Sequence, residues 1–249
     1  MSILDALLGS LRDDAPVQEV RVGPFWTAVV SRSCGLASTI LGEPLSHGDP
    51  AVLEAGHLTE KSARELAQLA RSPRPLEASI GVAALNSLLT VDESLCVELN
   101  AADLLLQESR GRRVAMVGHF PFAPRLRQVA QKLWVLEQRP RGDDLPAKAA
   151  EQVIPQADII AITGSALVNG TLDDLLAVCQ PQSLVVVLGP STPLSPILFE
   201  FGVDVVSGSQ VVDVSLALRC LIEGATYPQI RGVRRLTLRS PGRPFPTKT

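Results

Sequence analysis

The segment RVAMVGHFP, residues 113–121, gives the clearest indication of the fold. It is predicted to be a short apolar strand followed by a small, partly polar loop. Four later, mostly apolar segments repeat this pattern with helical segments between them, at 133–137, 158–163, 184–188 and 203–206. Strands without polar alternation need cover on both faces, and right-handed crossovers between them build a parallel sheet. Residues 111–249 are therefore predicted to form a Rossmann-like, doubly wound domain with five parallel strands, in which 114–117 and 158–163 are neighbours. Its last helix is predicted to begin at Ser209.

The first 110 residues follow a different pattern, with strands first and helices afterwards. Strands are predicted at 17–22 and 25–31, joined by a tight turn at Gly23-Pro24. Residues 33–39 and 42–58 are predicted to be loops, because they are rich in small, polar and turn-forming residues. Helices are predicted at 60–71, 76–89 and 101–110. The sequence thus predicts a separate α+β domain, residues 1–110, ahead of the Rossmann-like domain of residues 111–249.

The composition is that of a globular protein, with 46% hydrophobic and 20% charged residues and no apolar run long enough to cross a bilayer. The N-terminus lacks the pattern of an export signal, so a cytoplasmic location is expected. Residues 231–249 carry a charge of +6 and the whole chain −3, so the first 230 residues carry −9. This distribution, with an aromatic content of 4%, argues against a nucleic-acid surface. The basic tail is predicted to be a strand with a mobile end, or a contact for a partner's acidic face, and a homodimer is a further option.

Small residues, hydroxyls and one histidine follow the predicted parallel strands, where open sheets of this kind bind their ligands. The backbone N–H groups of such loops suit an anionic or hydroxyl-rich ligand. The candidate binding residues in these loops are Gly118, His119, Glu137, Ser165, Asn169, Thr171, Ser191 and Thr192. His119 is predicted to be an acid–base group, a metal ligand or a hydrogen-bonded loop residue, and the sequence leaves these three open.

The first of these loops resembles a dinucleotide-binding fingerprint only in part. Gly118 and Ala123 fit the pattern, and Glu137 is close to the spacing expected for an acid that holds ribose hydroxyls. Phe120 stands where the backbone must approach a pyrophosphate, and Pro121 removes an N–H group. Ordinary binding of NAD is therefore expected to be weak, while a nucleoside-type ligand stays open.

Cys34 is the candidate from the first domain, as a nucleophile or a soft-metal ligand in a polar loop, with a structural thiol as the alternative. The other cysteines, at 96, 179 and 220, lie among apolar residues and are expected to be buried thiols. His47 and His57 flank Asp49 without the spacing of a zinc site. The sequence therefore indicates no compact metal site made of protein ligands alone.

Six stretches together carry a family resemblance that spans nearly the whole chain. They are CGLAST (34–39), SIGVAALN (79–86), VGHFP (117–121), GSALVNGT (164–171), LGPSTPL (188–194) and VDVVSG (203–208). With these motifs the chain resembles the bacterial and archaeal family named for heavy-metal chelation. The resemblance implies an enolase N-terminal-like first domain, a Rossmann-like second domain and a site in the cleft between them.

Three functions follow as hypotheses. The leading one is a cleft that binds a small anionic or metal-chelating ligand, with a role in heavy-metal chelation or cofactor metabolism. The second is an enzyme that uses a nucleoside-type cofactor such as a methyl donor, with Glu137 on the ribose. The third is a non-catalytic partner in an assembly, acting through the basic tail.

Overall fold

A computed structural model describes residues 1–42, 48 and 50–241 of the chain. Two sheets organise these residues, one of three strands and one of eight. The strands are β1 (Glu19–Val22), β2 (Trp26–Val30), β3 (Cys34–Ser38), β4 (Cys96–Val97), β5 (Arg113–Val117), β6 (Lys132–Glu137), β7 (Leu145–Pro146), β8 (Ile159–Thr163), β9 (Leu184–Leu188), β10 (Val205–Val211) and β11 (Val233–Arg239). The α-helices are α1 (Ile3–Gly9), α2 (Ala63–Ala67), α3 (Pro75–Leu88), α4 (Ala101–Glu108), α5 (Ala123–Val129), α6 (Ala150–Val153), α7 (Ser165–Val168), α8 (Leu172–Ala177) and α9 (Val214–Ile222).

The large sheet contains the five predicted parallel strands and extends beyond them at both ends. Its order is β4-β11-β10-β9-β8-β5-β6-β7, and the strands from β10 to β7 run parallel to one another. β11 and β4 complete the sheet in the antiparallel sense. β5 and β8 pair directly, with Val114 opposite Ile159, so the predicted neighbourhood of 114–117 and 158–163 is confirmed.

Alternate side chains on the parallel strands pack into two different cores, as a sheet covered on both faces requires. Ala115, Ile160 and Val187 join the core that also contains α1 and α3. Residues one position along, including Val114 and Met116, pack with α4 and α5 on the opposite face. Each strand therefore reads as a continuous apolar run because both of its faces are buried.

The small antiparallel sheet β1-β2-β3 rests on α3, a helix buried along almost its whole length. Pro75 starts α3 at a position where the missing N–H group costs no hydrogen bond. Helix α9 closes the other side of the small sheet, with Leu218 and Leu221 packed against β2 and β3. Among the described residues, no helix has the length and apolarity to cross a membrane.

Two sequence-based expectations are corrected by the structure. Residues 34–38 form β3 rather than a loop, because Cys34 and Leu36 pack into the apolar cluster beneath α9. Ser209 lies inside β10, and Asp213 instead caps α9 by accepting a hydrogen bond from the backbone N–H of Leu216. The predicted strand in the basic tail is present as β11. The end of that tail, 242–249, and residues His47 and Asp49 lie outside the described residues.

Candidate functional site

A cleft with two chambers opens at the carboxyl ends of the parallel strands. The polar chamber, about 450 Å³, lies over the ends of β5, β6 and β8. The aromatic chamber, about 570 Å³, lies between the ends of β5, β8 and β9 and the start of β2 in the small sheet. His119, Thr163 and Ser165 line both chambers, so the two are adjacent parts of one cleft.

The polar chamber collects most of the predicted binding residues. Six of them line it: Gly118, His119, Glu137, Ser165, Asn169 and Thr171. Lys148 from the segment before α6, Glu151 from α6 and Asp174 from α8 also line the chamber and carry no signal in the local sequence. Three carboxylates and one lysine therefore surround this space, which favours hydroxyl or amino groups on a ligand.

Glu137 and Asp144 hold the loop after β5 in place. The backbone N–H of His119 donates to Glu137 Oε1 at 2.6 Å, and the N–H of Gln138 donates to Oε2 at 3.1 Å. The imidazole Nδ1 of His119 lies 3.2 Å from Asp144 Oδ2, a carboxylate that is only 4% exposed, whereas His119 is 52% exposed. Within the part of the chain that the structure describes, Nε2 of His119 has no hydrogen-bond partner, so this nitrogen is available to a ligand.

Two glycines let the loops approach each other at the junction of the chambers. Gly118 has φ +97°, a conformation that side chains with a Cβ rarely adopt, and a Cβ there would lie 3.0 Å from the side chain of Thr163. A Cβ on Gly164 would lie 2.6 Å from the backbone N of Thr192. The close approach explains why both positions are occupied by glycine.

The aromatic chamber draws its walls from distant parts of the chain. Phe120 and Phe122 stack with ring centroids 5.3 Å apart, and Trp26 lies 5.9 Å from Tyr227. The indole N–H of Trp26 donates to the carbonyl of Ala225, and Tyr227 hydrogen-bonds Ser209 at 2.9 Å. Since these polar atoms are satisfied within the protein, the ring surfaces remain for apolar or stacking contacts.

Ser191 joins the large sheet to the small one at the edge of the aromatic chamber. Its hydroxyl oxygen accepts a hydrogen bond from the backbone N–H of Ser38 at 2.8 Å and lies 3.0 Å from the Ser38 hydroxyl. The amide of Asn86 on α3 donates to the carbonyls of Leu36 and Ser191. Thr192, the next residue, is buried and lines neither chamber, and its hydroxyl has no hydrogen-bond partner among the described residues. Ser191 is therefore a link between the two sheets as well as a wall residue.

Cys34 lies apart from the cleft. It is buried against α9 and lines neither chamber, and burial, assisted by the charge of Glu19, raises the pKa of its thiol to about 12. Burial also raises the pKa of the Cys179 thiol to about 11. Such thiols stay protonated at neutral pH, and a soft metal binds the thiolate.

A heavy metal does not fit the protein ligands that the structure describes. Across residues 1–42, 48 and 50–241 there is no group of three or more His, Cys, Asp and Glu side chains arranged to hold a metal ion. The cysteines are unpaired and none lines either chamber. The described residues therefore do not form a metal site on their own.

The structure is that of an α/β protein with a cleft at the carboxyl edge of a large, mostly parallel sheet, bordered by a small antiparallel sheet. The chain belongs to the DUF364 family, described as "Putative heavy-metal chelation", whose sequence model matches residues 100–239. A second family model with the same description, DUF4213, matches residues 4–89. The resemblance inferred from the sequence motifs is confirmed.

One sequence relative matches about three quarters of its length, and two solved structures share the fold over nearly their whole length. An uncharacterized protein of Methanocaldococcus jannaschii is 29% identical over 196 residues, which cover 75% of this chain and 73% of that protein. The crystal structure of a DUF364 protein of unknown function from Desulfitobacterium hafniense has a TM-score of 0.80 at 28% identity, covering 96% of this chain and 97% of the other. A second, from Pyrococcus horikoshii, has a TM-score of 0.79 at 22% identity, covering 96% and 98%, and shows the fold.

Proposed function

We propose that the chain binds a small anionic or metal-chelating ligand in the cleft, in heavy-metal chelation or in cofactor metabolism. The observation that supports this most is the meeting of the two chambers at His119, Thr163 and Ser165, beyond the ends of parallel strands. The volumes, about 450 and 570 Å³, are in the range of small-molecule sites. The residues proposed to bind the ligand are those predicted from the sequence that line the cleft, with Cys34 and Thr192 in supporting positions only.

The family description and the absence of a protein-only metal cluster in the described residues are compatible if the metal arrives with an organic molecule. In this proposal the cleft recognises the organic part through its loops, and the organic part supplies the metal ligands. Amine or hydroxyl groups on such a chelator would contact the carboxylates of the polar chamber, and its acidic groups would lie near His119, where the two chambers meet. The metal would then bind only together with the chelator.

We also propose a division of the chain into two domains. The region of the three-stranded sheet corresponds to an enolase N-terminal-like domain, and the parallel sheet to a Rossmann-like domain, with the division placed at residues 1–110 and 111–249. The change from an antiparallel to a parallel sheet supports this division. Helix α4 and strand β4, which precede residue 110, pack with the large sheet and favour a boundary somewhat earlier in the chain.

A nucleoside-type ligand is the second candidate, because Glu137 lies at the end of β6 and lines the polar chamber. Each of its oxygens already accepts one backbone N–H, and each keeps a lone pair for a ribose hydroxyl. Adenosine titration into wild type and Glu137→Gln tests this candidate. Equal, weak binding to both proteins would remove it.

The leading proposal is tested by thermal stabilisation with citrate and with pyridine-2,6-dicarboxylate, each with and without Zn²⁺ or Ni²⁺. We expect at least one chelator to raise the Tm of wild type, because a ligand that binds only the folded state stabilises it. His119→Ala should weaken that ligand about tenfold or more, the size of a lost charge-assisted hydrogen bond.

His57→Ala is the matched control, since His57 also pairs with a carboxylate, Glu60, but lies on an exposed surface outside both chambers. It should bind like wild type. Equal affinity of the His119 and His57 variants, with both folded, would show that the cleft is not the ligand site.

A further inference from the structure

The two chambers differ in the charge of their walls as well as in their polar or aromatic character. Among the described residues, the polar chamber is lined by Glu137, Glu151 and Asp174, whereas the aromatic chamber has no carboxylate in its lining. The aromatic chamber instead has Arg125 and Arg235 in its walls. An acidic group would be repelled by the first surface and attracted by the second. The chambers therefore orient a ligand that carries charge at one end.

Of the two arginines, Arg235 is the one whose charge is available to bind an anion. Its guanidinium lies 4.9 Å above the ring of Tyr227, which fixes its position without neutralising it. Within the described residues, no carboxylate lies within 4.0 Å of Arg235, whereas Arg125 lies 3.9 Å from Asp103 at an exposed position. A half-buried arginine that faces an aromatic pocket without an acidic partner is the natural receptor for an anionic group.

Several aromatic side chains line the same chamber as the guanidinium of Arg235. Phe120 and Phe122 stack with an interplanar angle of 29° on the loop after β5. Trp26 from the small sheet and Tyr227 from the segment after α9 provide the other aromatic surface. Aromatic side chains make up only 4% of the sequence, so the presence of Phe25, Trp26, Phe120, Phe122 and Tyr227 around one chamber is a marked concentration. Such walls favour a planar, conjugated group.

We propose that the ligand is a planar aromatic anion, whose ring lies among these aromatic side chains and whose acidic group binds Arg235. This inference rests on the proposed function of the cleft and names the class of ligand. The hydroxyl- or amino-bearing end of the ligand then points past Ser165 into the polar chamber. Arg235 is the residue that determines the preference for an acid at the aromatic end.

The test uses three probes of similar size: 2-naphthoate, the neutral 2-naphthalenemethanol and the non-aromatic decahydronaphthalene-2-carboxylate. The chain has two tryptophans, so in a Trp134→Phe background the fluorescence of Trp26 reports on the aromatic chamber alone. We expect 2-naphthoate to quench Trp26 and to bind about tenfold or more tightly than either other probe.

Arg235→Gln should remove that advantage by weakening 2-naphthoate about tenfold, while 2-naphthalenemethanol is unchanged. Arg234→Gln is the matched control, because Arg234 is adjacent on β11 but pairs with Glu93 and Glu98 away from the chamber. It should bind 2-naphthoate like wild type. Isothermal titration calorimetry of the same proteins with Trp134 retained measures these affinities independently.

Equal binding of 2-naphthoate to the Arg234 and Arg235 variants, or no preference for it over decahydronaphthalene-2-carboxylate, overturns the assignment. So does the absence of binding by all three probes to folded protein. These results are distinguishable from failure of the proposed function, because a chelator that depends on His119 but not on Arg235 would keep the cleft as the site and remove only the aromatic anion.

Discussion

At the scale of single residues, Ser191 and Thr192 are neighbours in the chain whose hydroxyl groups differ in hydrogen bonding. Both are buried, with 1% and 2% of their surface exposed. The Ser191 hydroxyl satisfies the backbone N–H of Ser38, whereas the Thr192 hydroxyl has no hydrogen-bond partner among the described residues. A buried donor that loses its acceptor costs free energy, but a hydroxyl that bonds to nothing can be replaced without that loss. The two residues therefore contribute differently to the stability of the fold.

We expect Ser191→Ala to lower the free energy of unfolding by about 1–3 kcal/mol, because Ser38 is left without its acceptor. Thr192→Val keeps the side-chain shape and removes an unpaired polar atom, so we expect no loss and up to a small gain in stability. Urea unfolding followed by circular dichroism measures both. Equal losses in the two variants would contradict this assignment of the hydrogen bonds.

At the scale of the elements, the loop between β5 and α5 differs from a pyrophosphate-binding turn. Pro121 offers no backbone N–H, and the N–H of Ala123, the first residue of α5, donates to the carbonyl of Phe120 at 2.9 Å. The backbone N–H of His119 is already bound to Glu137. A phosphate group placed here would find few free donors.

Calorimetry with NAD and NADP should therefore give no binding near 1 μM, which corresponds to about −8 kcal/mol. The physical reason is the loss of free N–H donors in the loop that follows β5. Pro121→Gly returns one N–H but leaves Phe120 in place, so we expect little gain from it. Tight binding of either dinucleotide to wild type would contradict the prediction that the loop after β5 prevents dinucleotide binding.

The elements that the sequence predicts best are those buried on both faces. β5, β8 and β9 are recognisable because nearly all of their positions face one core or the other, the exceptions Arg113 and Thr163 being at strand ends. β3 could not be recognised, because Gly35, Ala37 and Ser38 have low strand propensity and are held in place by their contacts with β2 and α3. β4 and β7 are two residues long, so only pairing with distant strands defines them.

At the scale of the whole molecule, the cleft is formed by residues that are far apart in the chain. The polar chamber follows from the rule that parallel strands end at one edge, so loop residues such as Gly118, Glu137 and Ser165 could be selected from the sequence. The aromatic chamber could not be, because Trp26 meets the segment of Ala225, 199 residues away, only when the small sheet packs on the large one. Arg235 has the same origin, since in the sequence it is one of several arginines in a basic strand.

In the proposed function, the cleft holds a small organic ligand, and a metal enters only together with it. Native mass spectrometry with elemental analysis of the purified protein tests this directly, with Ser165→Phe as the comparison because Ser165 lines both chambers. We expect an organic adduct on wild type, a metal only alongside that adduct, and neither on Ser165→Phe with its fold intact. A stoichiometric metal without any organic mass, or the same adduct on both proteins, would contradict it.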